Sequence, residues 1–153
     1  MSDSFCQARS GKNLGNKIAA PSFHGLLAEL EALRADMDGA LTLIDQGLAI
    51  AKETGEHFTD PYLHRLRGEI LLTRSPASPV LAEKAFRTAI VIAKGQGARS
   101  YELLASLSLA KFYQSMDRAA EARAVLAPAV EGFSPTPEMP QIADAQTLLA
   151  ALA

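Results

Sequence analysis

Apolar residues recur from Phe23 onward with the spacing of one helix face. Phe23, Leu26, Leu27, Leu30 and Leu33 form the first stripe, at the i, i+3, i+4, i+7 offsets of a 3.6-residue period. Leu41, Ile44, Leu48 and Ala51 form the second, with Asp38 expected as its cap and Gly55 as its stop. Asp60-Pro61 opens a third helix through Leu63, Leu66, Ile70 and Leu71, since Asp caps and Pro is tolerated in the first turn. Ser75–Pro79 reads as a loop whose Ser78-Pro79 repeats that start signal. Leu81, Ala85, Phe86, Ala89 and Ile92 then run to Gly95 and Gly97, where a helix end is expected. Ser100 opens a helix with Leu103, Leu104, Leu107, Ala110 and Tyr113, and Asp117 opens one with Ala122, Val125, Leu126 and Ala129. Pro128, inside that last stripe, is expected to kink or end it. A seventh helix, roughly 138–152, carries Ile142, Ala145, Leu148, Leu149 and Leu152, with Pro137 and Pro140 expected in its first turn. Residues 1–21 lack any such period and read as a flexible arm ahead of a helical domain, 22–153.

The stripes repeat with a period near 40 residues. Each second helix carries a small residue, an apolar residue four later and a small residue three after that: Ala40, Ile44, Gly47; Ala82, Phe86, Ala89; Ala122, Leu126, Ala129. Ala28 and Ala110 each stand twelve positions before the first member of their triplet, and Gly68 stands fourteen before Ala82, as if two residues were inserted in the 75–79 loop. Small residues let two antiparallel helices approach closely, and one bulky residue fills what space remains. A single hairpin cannot bury its own apolar face, so such units are expected to stack. The expected fold is all-α: three stacked helical hairpins plus a capping helix.

This pattern resembles the tetratricopeptide (TPR) repeat, with units longer than the usual 34 residues. The ordered series Thr54-Gly55-Glu56, Leu63 to Leu72, Ala82-Glu83 with Phe86 to Ile90, and Gln96 to Ser100 with Glu102-Leu103 is similar to the TPR tail of large bacterial multidomain signalling proteins. Those carry an adenylate/guanylate cyclase or winged-helix domain and an ATPase module ahead of the repeats. The resemblance spans about residues 22–150. It implies a short TPR-like α-solenoid whose first helices line a concave groove. The positions implied to face it are Gly25, Glu29 and Ala32; Arg65, Glu69 and Leu72; and Leu107, Lys111 and Gln114. A groove mixing charge with apolar patches suits an extended peptide or a partner helix. The implied role is a non-catalytic interaction or scaffolding module in a bacterial signalling protein, and the partner is a protein or peptide the sequence does not identify.

Composition agrees with helix. Ala (28) and Leu (21) far outnumber Val plus Ile (11), and β-branched side chains lose χ1 freedom in helices. Fifteen basic against seventeen acidic residues give a net charge of −2. That balance supplies no cationic field for nucleic acid or an anionic membrane. No apolar run reaches a membrane span and no signal-peptide pattern is present, so a cytoplasmic location is expected. Cys6 is the one cysteine and cannot form an intrachain disulfide.

No chemistry-bearing motif in the sequence is complete. Gly11 to Lys17 lacks the Gly-Lys-[Ser/Thr] order of a phosphate loop and reads as linker. Asp36-Met37-Asp38-Gly39 places its glycine too early for a calcium loop and reads as a helix cap. His24, His57 and His64 lack metal-ligand spacing, and no serine or cysteine sits in a nucleophile motif. No enzyme activity and no cofactor are expected. Two alternatives stand beside the groove reading. One is self-association through a first hairpin that leaves Phe23, Leu26 and Leu30 exposed; the other, with less behind it, is a small-molecule or nucleotide sensor.

Overall fold

The structure is a computed structural model that describes residues 19–153. Cys6, the Gly11–Lys17 stretch and most of the expected 1–21 arm lie outside the described residues. Among the described residues seven helices follow in order: α1 (Ala20–Leu33), α2 (Met37–Thr54), α3 (Asp60–Arg74), α4 (Val80–Gln96), α5 (Arg99–Ser115), α6 (Ala119–Val130) and α7 (Gln141–Ala151). All are α-helical and no strand occurs among the described residues, so the all-α expectation holds.

Helix ends follow local chemistry, with some differences from the sequence reading. α1 starts at Ala20, ahead of the expected boundary at 22, because buried Pro21 sits in its first turn. There its missing N–H costs nothing. Asp36, not Asp38, caps α2: its carboxylate accepts the Gly39 N–H at 2.9 Å. Gly39 permits this, since a Cβ there would lie 2.2 Å from the Asp36 Oδ2. Asp38 instead pairs with Arg74 across the hairpin boundary at 2.9 Å. Asp60 is likewise the first residue of α3 rather than its cap, and its carboxylate meets His57 Nδ1 at 2.8 Å. α4, α5 and α6 begin at Val80, Arg99 and Ala119 with no side-chain cap, so Ser78, Ser100 and Asp117 do not cap them. Gly55 and Gly97 end α2 and α4 with φ of 76° and 66°, a left-handed conformation that glycine adopts without Cβ strain. Pro128 lies within α6, which ends two residues later at Val130. Pro137 falls in the connection before α7, and Pro140 immediately precedes that helix.

The repeat seen in the sequence is visible in the backbone. α1–α2 and α5–α6 are joined by three residues each (34–36 and 116–118), α3–α4 by five (75–79). The two extra residues lie where the triplet spacing places an insertion. Both short turns put their middle residue, Ala35 or Asp117, at positive φ (64° and 57°). Both also close with the N–H of the next residue donating five positions back, Asp36 to Glu31 and Arg118 to Tyr113, at 2.9 Å.

The triplets form the core. Ala40, Ile44 and Gly47, then Ala82, Phe86 and Ala89, then Ala122, Leu126 and Ala129 are all buried, as are Ala28, Gly68 and Ala110 opposite them. Consecutive helices pack pairwise, and α1 also touches α3, α3 touches α5, and α5 touches α7. Among the described residues α2, α4 and α6 make no such contact with one another. The first helices therefore form an inner row and the second helices a splayed outer row. α7 closes over α5 and α6 with Ile142, Ala145 and Leu148 buried, and Leu149 and Leu152 partly so.

Candidate functional site

The inner row places most of the expected groove positions on one side. On α3, Tyr62, Arg65, Glu69 and Leu72 recur every three or four residues, and on α5 Ser108, Lys111 and Gln114 do the same. Arg65 Nη1 donates to Glu69 Oε1 at 2.6 Å, and Ser108 Oγ on α5 donates to that same oxygen at 2.8 Å. One carboxylate thus ties two hairpins together. Arg65 is largely covered, and its guanidinium lies 5.8 Å from the Tyr62 ring centre, within cation–π range. Arg65 and Glu69 thus brace the α3–α5 junction.

Tyr62 was not among the expected residues. A Cβ at Gly25 would lie 2.3 Å from its Cε1, so Gly25 admits the ring against α1 and is itself buried, with no groove-facing surface. Burial pushes the Tyr62 phenol well above its ordinary range, and the negative charge of Glu29 adds to the effect. Its hydroxyl is buried without a hydrogen bond of ordinary geometry. Leu107, also expected in the groove, is instead in the core between α5 and its neighbours. Lys111 and Gln114 are exposed, and Lys111 has no salt bridge among the described residues.

Two hollows flank the Glu69 bridge. One, about 390 Å³, lies between α1 and α3 and is lined by Glu29, Ala32, Leu33, Met37, Glu69 and Ile70 among others. The other, about 340 Å³, lies at the turn end, where Leu72 faces Phe112, Ser115 and Met116. The first joins apolar walls to the carboxylates of Glu29 and Glu69, whereas the second is lined by apolar side chains and Ser115.

The outer side is built differently. A wider hollow of about 520 Å³ runs along α4 between Val80 and Ile92, but one helix supplies all its walls. Another, about 360 Å³, opens between α2 and α4 over His64 and Arg67. Arg67 there is paired with Asp45, and burial holds the His64 imidazole below its ordinary range. Near α6 a polar cluster is satisfied internally. The Tyr113 hydroxyl donates to Glu83 at 2.7 Å and accepts from Arg87 at 2.5 Å, while the Arg118 guanidinium sits 4.2 Å from the ring centre. Arg99 collects the carbonyls of Ala129 and Glu131 at the end of α6, at 3.4 and 2.9 Å. It also pairs with buried Glu102 at 2.7 Å. These groups join helices to one another.

Among the described residues, no group of three or more His, Cys, Asp or Glu side chains is arranged to hold a metal. No helix among them is long and apolar enough to cross a membrane. No family model, curated protein or solved structure matches the chain.

Proposed function

We propose that this chain is a non-catalytic protein-interaction module, a TPR-like α-solenoid similar to the repeat tail of bacterial signalling proteins and working in the cytoplasm. Its ligand is an extended peptide or helix from a protein partner, held across the inner row. One observation carries the reading. Helices α1, α3 and α5 lie side by side, with Glu29, Arg65, Glu69, Leu72, Lys111 and Gln114 distributed along them and a hollow on either side of the Glu69 bridge.

The chemistry of that face selects a ligand. Arg65 is consumed by Glu69, so Lys111, which has no salt bridge among the described residues, can meet a ligand carboxylate. Leu33, Met37 and Ile70 offer an apolar seat between α1 and α3. A segment with one acidic residue and one large apolar side chain fits this combination. Binding to a preformed face needs no ordering of the receptor, which limits the entropic cost.

Panning a random peptide display library against the protein tests the proposal. Enriched sequences are expected to share an acidic position, and Lys111→Glu is expected to weaken them about tenfold, close to 1.4 kcal/mol. Lys111 is exposed, so the melting temperature of the variant should stay within a degree or two of the parent. Peptides that bind Lys111→Glu as tightly as the parent, or a library that yields none, would overturn it.

A further inference from the structure

The outward face of α1 carries Phe23, Leu26, Leu30 and Leu33, each more than half exposed, with Leu27 at 47% beside them. No charged residue interrupts the face. Isolated exposed leucines are ordinary, but five large apolar side chains on one 14-residue helix form a continuous patch.

The spacing of the patch identifies its occupant. From Phe23 the steps are three, four and three residues, which reads the same from either end of the helix. It is also the a/d spacing of a coiled-coil seam. A second α1 laid antiparallel, with a two-fold axis at the level of residue 28, sets Phe23 against Leu33 of its mate and Leu26 against Leu30. Each of these four residues then meets another apolar one, and Leu27 flanks the seam. The antiparallel direction also opposes the two helix dipoles, and a patch paired with itself gives a closed assembly rather than a filament. The patch presents on the order of 500 Å² per copy, so a pair buries about 1,000 Å², at the lower edge of specific interfaces.

We propose that two copies of this chain pair through α1, antiparallel about that axis, in a micromolar association. The proposal rests on α1, whose Leu33 also lines the hollow of the proposed peptide-binding face; the Leu26 and Leu30 variants below leave that hollow's lining unchanged.

Sedimentation velocity on the full chain, from micromolar to millimolar concentration, reads the outcome. The parent is expected to pass from 16.3 kDa to twice that mass. Leu30→Glu and Leu26→Lys are each expected to remain monomeric with unchanged helical circular dichroism, because both positions are about half exposed. Mixing the two variants one to one restores the dimer, since the antiparallel register sets Glu at 30 against Lys at 26 and leaves the other Leu–Leu contact intact. A parent that stays monomeric at every concentration overturns the proposal. If removal of residues 1–18 then produces a dimer, the face belongs to that segment instead. Dimers that persist in either single variant, or a mixture that stays monomeric, overturn it as well.

Discussion

Phe86→Ala is expected to lower the unfolding free energy by about 3–5 kcal/mol, the range for emptying a buried aromatic site. Phe86 is 1% exposed and fills the middle of the α3–α4 hairpin, 6.5 Å from the Phe112 ring centre. The loss is large because the site cannot collapse. Gly68 opposite already has no side chain, and a Cβ there would lie 2.5 to 2.8 Å from three Phe86 ring atoms. The same contact decides the sign of Gly68→Ala. Alanine gains about 1 kcal/mol of helix propensity over glycine, whereas overpacking a tight core costs about 1–3 kcal/mol. Gly68→Ala is therefore expected to destabilise the parent yet stabilise a Phe86→Leu background, where the clash is relieved. Urea denaturation of the four members of that cycle checks both statements, and a Gly68→Ala that stabilises the parent, or that destabilises the Phe86→Leu background as much as the parent, would refute the packing argument.

The second large effect centres on Tyr113, which is fully buried and hydrogen-bonded to Glu83 and Arg87. Tyr113→Phe keeps the ring and removes two charge-assisted hydrogen bonds, an expected loss of about 1.5–3 kcal/mol at neutral pH. Part of that loss depends on pH. The Glu83 carboxyl is held below its ordinary 4.5, first by the Tyr113 hydroxyl and then by Arg87 and Arg118. A carboxylate with a depressed folded pKa stabilises the fold above its unfolded value. That contribution fades as pH falls below 4.5 through the folded value. The gap between parent and Tyr113→Phe is thus expected to be full at pH 7 and to narrow below pH 4.5. Thermal melts of both proteins across that range measure it, and a gap constant with pH would remove Glu83 from the account.

Much of the fold was legible because it is written locally. A triplet such as Ala82, Phe86, Ala89 sits on one face of one helix, and burial of that face needs only the neighbouring helix. The two-residue insertion at 75–79 was legible for the same reason, as a change of spacing between two small residues. Caps were less so. Asp36 and Asp38 are equally able to cap by type, and the choice fell to Asp36 because Gly39 leaves room for its carboxylate three residues on.

The face itself was legible in part. Arg65 and Glu69 stand four apart on one helix, the spacing at which side chains of one face meet. That Glu69 also holds Ser108, 39 residues away, depends on how one hairpin is rotated against the next, which the helical period does not encode. Tyr62 was missed although it stands three positions before Arg65, because its place depends on the gap left by Gly25 on a different helix. Leu107 was assigned to the groove by repeat position. Its large apolar side chain is buried between the stacked helices instead.

On this reading the inner row, not the outer one, carries the binding face. The most direct test titrates a library-selected peptide into ¹⁵N-labelled protein and follows the backbone amide resonances. Shifts are expected at Glu29, Glu69, Leu72, Lys111 and Gln114 and across the Leu33–Met37 turn, with Asp45, Lys84 and Val91 of the outer row unmoved. Shifts confined to Asp45, Lys84 and Val91, with the inner row silent, would contradict the account.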